Sequence, residues 1–188
     1  MAKFSARVLF VAAGLSIIPN LSVAGANVRL IDFQSNCIDL SRTTLSVDAP
    51  QAAVVGTYPC ANNRAGFTWV ATLSGLTSFN ITSAVVPSIV LSVAAVGSTA
   101  PSSSVPLIDQ PVLGRVGSIM TWKFVSNPNF SGKFNIVPSI APGGVDVALR
   151  SYPRRSTAST PNDASYSPLI LDTLNVRDPQ QAFTIQNV

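Results

Sequence analysis

A block of short β-prone segments recurs three times in this chain, and the recurrence dictates its architecture. Aromatic-bearing runs stand at Gly66-Phe67-Thr68-Trp69-Val70, Ile119-Met120-Thr121-Trp122-Lys123-Phe124 and Gln181-Ala182-Phe183-Thr184-Ile185. Upstream of each lies a strand-like run: Ala53 to Tyr58, Pro111 to Val116, and Pro168 to Thr173. Further upstream comes a third type of segment, Asn36 to Leu40, Ser88 to Val93, and Val147 to Ser151. Cys37 to Trp69 is 32 residues, Val90 to Trp122 is 32, and Ala148 to Phe183 is 35, with the surplus in the Pro153 to Ser165 loop. Each block opens on a further β-prone run: Val28 to Ile31, Phe79 to Thr82, and Phe134 to Val137.

The spacing predicts three pseudo-repeats of four short strands, at about 26–77, 78–131 and 132–188, in an all-β fold without sustained helical periodicity. One four-stranded unit cannot bury its own apolar face, whereas three around a common axis can. A closed barrel capped by hairpins follows, with Trp69, Trp122 and Phe183 as equivalent core aromatics. The competing explanation is a chance coincidence of three loosely matched segments.

The first 24 residues read as a separate element. Lys3 and Arg7 form a positive region, Val8 to Ile18 an apolar one, and Ser22-Val23-Ala24 a small-x-small cleavage signal. A membrane anchor is the alternative, but an apolar run of about 11 residues is short against the roughly 20 a spanning helix needs. The expectation is a signal peptide at 1–24, one domain at 25–188, and a secreted, extracellular protein without a membrane span.

Cleavage would remove two of the 12 basic residues and none of the eight acids, leaving ten minus eight, or +2. A basic balance this small, with its one cluster (Arg150, Arg154, Arg155) in a Pro/Ser/Thr-rich stretch, argues against nucleic acid as a partner. With only 11% charged residues, the surface must be covered by Ser, Thr, Asn, Gly and Pro.

Cys37 and Cys60 are the only cysteines, and an oxidising compartment favours a disulfide between them. Two free buried thiols are the alternative.

The run Val28 to Leu40, then Val54-Val55-Gly56-Thr57-Tyr58-Pro59-Cys60-Ala61-Asn62-Asn63 and Phe67-Thr68-Trp69, resembles the first repeat of ricin-B-type lectin domains. In that family a Cys-Leu-Asp-type segment is bonded to a cysteine just after an aromatic-bearing strand, and a Gln-x-Trp motif closes the unit. The resemblance implies a β-trefoil and a shallow sugar site. There an acid accepts hydrogen bonds from vicinal hydroxyls, a ring stacks on the sugar, and amides complete the contacts.

Carried over residue by residue, Asp39 matches the acid and Tyr58 the stacking ring, with Asn62 and Asn63 as amide donors. Gly66 and Phe67 depart from the pattern, since Phe67 stands where the family has the glutamine. Repeat two has Ser92 for the acid and Met120 for the glutamine. Repeat three keeps Gln180-Gln181-Ala182-Phe183 but places Arg150 at the acid's position, which makes its glutamines structural. At most one family-type site is therefore expected, in repeat one. The plainer reading of Asp39 and Tyr58 is a turn-capping acid and a ring packed beside the disulfide.

Catalysis is not expected. The chain has no His and no Glu, and its eight Asp residues are scattered, so the usual general bases, nucleophile–base pairs and metal clusters are missing. No cofactor or metal is implied. Two sequons, Asn80-Ile81-Thr82 and Asn129-Phe130-Ser131, are glycosylation acceptors in a host that modifies them, with Asn129 the better placed in its Gly/Pro/Asn-rich turn. The partners expected are glycans or glycoproteins. The alternative functions are a β-trefoil protease inhibitor presenting the Pro153 to Pro161 loop, with Tyr152 and Tyr166 flanking it, and an effector scaffold that has lost sugar binding.

Overall fold

Trp69, Trp122 and Phe183 are all fully buried, and each is held in the same way. In the computed structural model, which describes residues 25–40, 52–60, 65–93, 112–116, 121–139, 145–152 and 167–188, Trp69 lies opposite Val28 on the first strand of its own unit. Trp122 lies opposite Phe79 in the second unit, and Phe183 bridges Phe134 in the third. The two indoles also make matching bonds: Trp69 Nε1 donates to the Ile38 carbonyl at 3.0 Å, and Trp122 Nε1 to the Leu91 carbonyl at 2.9 Å. Both bonds span 31 residues of sequence, so the interval read from the sequence is a structural repeat.

Twelve strands are found among the described residues. The first unit holds β1 (Ala26–Ile31), β2 (Asn36–Leu40), β3 (Ala52–Pro59) and β4 (Trp69–Leu73). The second holds β5 (Phe79–Ser83), β6 (Ile89–Val93), β7 (Val112–Val116) and β8 (Trp122–Ser126). The third holds β9 (Phe134–Pro138), β10 (Val147–Ser151), β11 (Ser167–Thr173) and β12 (Thr184–Asn187). Strands β1, β4, β5, β8, β9 and β12 run antiparallel around a barrel, through the pairs β12–β1, β1–β4, β4–β5, β5–β8 and β8–β9. The Phe134–Phe183 bridge joins β9 to the start of β12.

The remaining strands form three hairpins, β2–β3, β6–β7 and β10–β11, and β3 pairs with both β7 and β11. A six-stranded barrel closed at one end by three hairpins is a β-trefoil, with three pseudo-repeats of four short strands.

Alternation fixes which side chains enter the core. Val28 and Leu30 on β1, Trp69 and Ala71 on β4, and Trp122 and Phe124 on β8 point inward, two residues apart as strand geometry requires. The hairpins add Ile38, Leu91 and Leu149, one from each unit, with Val93, Leu169 and Leu171 beside them. Phe79 and Phe124 stack with centroids 5.0 Å apart.

Two of the three aromatic runs differ from the strand-like expectation. Ala65–Phe67 and Pro179–Gln181 are 3-10 turns, and the strands begin only at Trp69 and Thr184. The cause is local in the third unit. Asp178 caps its turn by accepting from the Gln180 N–H at 2.9 Å, and Pro179, which lacks an N–H, is suited to the first position. These turns lie against the hairpins, which places them at the candidate sites.

Candidate functional site

The cap hairpins share one register. In the first unit Cys37 faces Tyr58 and Asp39 faces Gly56. In the second Val90 faces Arg115 and Ser92 faces Leu113, and in the third Ala148 faces Asp172 and Arg150 faces Ile170. The acid's position is therefore occupied by Asp39, Ser92 and Arg150 in turn, and the ring's position by Tyr58, Arg115 and Asp172.

In the first unit Cys37 and Cys60 are disulfide-bonded, with Cα atoms 4.9 Å apart. Cys37, Tyr58 and Phe67 form a small apolar cluster distinct from the barrel core, with Ile31 and Cys60 packed against it. The sequence pattern suggested an open hollow between Asp39 and Tyr58, and here the structure differs. Asp39 is 2% exposed and Tyr58 is 7% exposed. The physical reason is Phe67. Its ring, standing where a glutamine would keep the turn polar, is fully buried with Cys37 and Tyr58 and brings the 3-10 turn down onto the hairpin. Asn62 and Asn63, expected as amide donors, lie outside the described residues, as do the segment 1–24, Met120, Tyr166 and the Pro153 to Pro161 loop.

The closeness of that turn gives Gly66 its identity. A Cβ at Gly66 would sit 2.0 Å from Asp39 Oδ1, nearer than atoms can approach, and 3.0 Å from its Cγ. Gly66→Ala is therefore expected to cost about 2–3 kcal/mol by overpacking. In an Asp39→Ala background the same change should cost almost nothing, because the clashing carboxylate is gone. Urea denaturation of the four proteins of this cycle measures the coupling, and additivity within about 0.5 kcal/mol would place the carboxylate away from the turn.

The third unit is arranged differently. The Arg150 guanidinium contacts Asp172 through Nη1, donates from Nε to Gln180 Oε1 at 3.0 Å, and has Asp178 Oδ2 at 3.4 Å. Its Cζ lies 5.4 Å from the centroid of the Tyr152 ring. Burial pulls the Arg150 pKa down, but the hydrogen bond to Asp172 and the charge of Asp178 outweigh it, so the pKa is raised and the group is cationic at every working pH. The side chains of Arg150, Asp172 and Asp178 are 27%, 24% and 17% exposed, and Tyr152 is 37% exposed.

Gln181 is structural, as expected. It is buried, accepts from the Asn175 N–H at 2.8 Å and donates to the Thr173 carbonyl at 2.8 Å. Its own carbonyl accepts from Asn135 Nδ2 at 2.9 Å, and Asn135 in turn accepts from Asn127 Nδ2 at 3.0 Å. Gln180 instead faces Arg150 and is half-buried.

Sequence reasoning missed Asp172 and Asp178 as the partners of Arg150. The repeat spacing puts Arg150 at the acid's position but carries no signal that aligns it with Asp172 on the facing strand or Asp178 on the turn. The two sequon asparagines also part company. Asn80 is half-buried on β5 opposite Thr72, whereas Asn129 is exposed in the β8–β9 turn, with Nδ2 donating to the Val176 carbonyl at 3.1 Å.

Among the described residues no group of three or more His, Cys, Asp or Glu side chains could hold a metal ion, and no helix is long and apolar enough to cross a membrane.

No family model matches this sequence, and no curated protein matches it. Solved structures do match at the level of the fold. The designed threefold-symmetric protein ThreeFoil is 12% identical, with a TM-score of 0.61 over 86% of this chain and 99% of its own. The exo-β-1,3-galactanase 1,3Gal43A from Clostridium thermocellum is 11% identical with a TM-score of 0.60, over 87% of this chain and 30% of the enzyme. Cry35Ab1 is 12% identical with a TM-score of 0.54, over 87% of this chain and 36% of its own. The present chain thus spans about a third of the galactanase and of Cry35Ab1, and these likenesses concern architecture alone.

Proposed function

We propose that this chain is a secreted, lectin-like carbohydrate-binding protein rather than an enzyme. The observation that carries the reading is the β-trefoil itself, whose three cap hairpins share one register, an architecture that also occurs within an exo-β-1,3-galactanase. Of the equivalent positions, Asp39 and Ser92 are buried and Arg150 reaches solvent. The absence of His and Glu from the whole sequence supports binding over catalysis. The disulfide and the apolar leader-like segment support secretion, and on that route exposed Asn129 is a better glycan acceptor than Asn80.

Asp39, Tyr58, Asn62 and Asn63 remain the family-type set, and Asp39→Asn tests it. Because the Asp39 side chain is covered by the Gly66 turn, this substitution is expected to leave binding to a glycan array of neutral oligosaccharides unchanged. Binding that disappears while the melting temperature holds would instead place recognition in the first unit. If the wild-type protein retains no glycan, the sugar-binding reading fails and the trefoil is a scaffold for another purpose.

A further inference from the structure

Charge is spread unevenly along this chain. Between Asp48 and Asp146 the sequence holds four cations, Arg64, Arg115, Lys123 and Lys133, against one acid, Asp109, or +3. The rest of the chain from Gly25 onward holds six cations and seven acids, or −1. Exposed aliphatic side chains follow the same division: Leu76, Val85, Val86 and Val125 all fall in the first of these stretches. Among its described residues, from Ala65 to Ser139, there is no acid.

The fold brings these side chains to strand β5 and its neighbours. Leu76, 96% exposed, stands in the turn leading into β5, where the Ser74 N–H donates to the Ser78 carbonyl at 2.7 Å. Val85 and Val86, 55% and 38% exposed, stand in the loop that follows β5, and the buried Ser83 Oγ accepts from their N–H groups at 3.3 and 3.2 Å. Both tips are thus fixed in advance, so ordering them costs little on contact. Between them Asn80 and Thr82 face outward from β5, half-buried and uncharged. Strand β8 lies alongside, joined to β5 through Phe79 and Trp122. Because Trp122 and Phe124 point inward, Lys123 and Val125 point outward on the same wall.

We propose that the barrel wall around β5, tipped by Leu76 at one end and by Val85 and Val86 at the other and flanked by Lys123, docks on an anionic lipid bilayer. The proposal is independent of the carbohydrate-binding reading. Protruding aliphatic tips need a groove to enter in a protein partner, whereas a fluid lipid surface takes them without one. Charge complementarity favours anionic headgroups, since cations border the wall and the acids lie elsewhere in the fold. The contact is peripheral: the chain docks through turns and a strand face.

The margins of the wall keep that balance. Arg115 stands on β7 opposite Val90, which pairs with Thr82 of β5, and adds a cation on the β6 side. Lys133 follows the β8–β9 turn and donates from Nζ to Thr184 Oγ1 at 2.6 Å, a neutral partner that leaves its charge uncompensated. The same turn meets the 175–178 segment through the Asn129 bond to Val176, which brings Arg177 and Asp178, one charge of each sign, to that margin. A few partly inserted aliphatics and a few cations make the association weak and reversible, and dependent on salt.

Cosedimentation with sucrose-loaded vesicles tests this, using the disulfide-bonded protein made without N-glycans, because Asn80 lies within the wall. The wild type is expected to partition onto vesicles of phosphatidylcholine with about one-third phosphatidylserine, to bind phosphatidylcholine alone at least about fivefold more weakly, and to be released by high salt. Leu76→Ser and Lys123→Gln should each lower partition about fivefold. Leu76 is almost fully exposed, so its variant should melt as the wild type does, which separates lost contact from lost fold. Arg177→Gln, the same charge change at an exposed residue on the margin, should leave partition within about twofold. A wild type that stays in solution with anionic vesicles at low salt overturns the proposal, as does equal binding to both vesicles. Partition that survives Leu76→Ser, or falls as much with Arg177→Gln as with Lys123→Gln, overturns the assignment to this wall. Self-association abolished by Leu76→Ser, without vesicle binding, would give the wall to a second copy of the chain and overturn the lipid partner.

Discussion

Trp122→Ala is expected to destabilise the fold by about 4 kcal/mol, in the range for deleting a fully buried indole, and Trp122→Phe by about 1–2 kcal/mol. The alanine variant leaves a cavity in the barrel core, to which all three units contribute side chains. The phenylalanine variant fills most of that volume but leaves the buried Leu91 carbonyl without its donor. Phenylalanine is compatible with the position, because Phe183 already occupies the third equivalent site with no N–H to give. Trp69→Phe should cost the same as Trp122→Phe within about 0.5 kcal/mol, since its bond to the Ile38 carbonyl has the same span and nearly the same length. Urea unfolding of the three variants measures this. A loss below about 1 kcal/mol for Trp122→Ala would show that the indole does not seal the barrel.

That prediction rests on a feature visible before any coordinates. The 32-residue interval from Cys37 to Trp69, repeated from Val90 to Trp122, reflects a physical bond one residue off that count, from each indole to the strand it covers. Two units return an indole to the barrel after the same length of chain, and the third returns Phe183 three residues later, with the surplus between 153 and 165. Strand ends were less legible. The runs beginning at Gly66 and Gln181 have strand composition, but Asp178 and Pro179 set a 3-10 turn first in the third unit, and a three-residue turn leaves no periodicity to read.

The candidate site was legible in part, and the parts that were not have a common cause. The sequence identified Asp39 and Tyr58 by position and flagged Gly66 and Phe67 as departures. It did not show that the departures act together: a buried Phe67 brings the turn down, and Gly66 permits it to come within touching distance of the carboxylate. That is a matter of packing between segments about 27 residues apart, for which sequence carries no direct signal. In the third unit Arg150 was read as the loss of an acid. The acids that compensate, Asp172 and Asp178, lie on a facing strand and on a turn, and the pairing of β10 with β11 spans the segment from 153 to 166, so spacing alone could not align them. Where a hairpin is short and closed by a covalent bond, register can be read from the sequence; where its connection is long, only the fold supplies it.

Removing the Cys37–Cys60 bridge by the paired substitution Cys37→Ala and Cys60→Ala is expected to lower stability by about 3 kcal/mol and the melting temperature by about 10 °C. The bond closes a sequence separation of 23 residues, and the chain-entropy model assigns that loop a value of this size. Alanine is the appropriate replacement because Cys37 is fully buried beside Tyr58 and Phe67, where a serine hydroxyl would add a desolvation cost of its own. The effect should be global. Strand β3 pairs with β2, β7 and β11, so the stapled hairpin touches both other units, and releasing it weakens the whole cap rather than one loop. A single cooperative transition at lower temperature is therefore expected, not a separate early melt. Reductant should shift the wild-type transition toward that of the paired variant and leave the variant unmoved. If reductant moves both equally, or neither, the bridge does not hold the first hairpin against the rest of the cap.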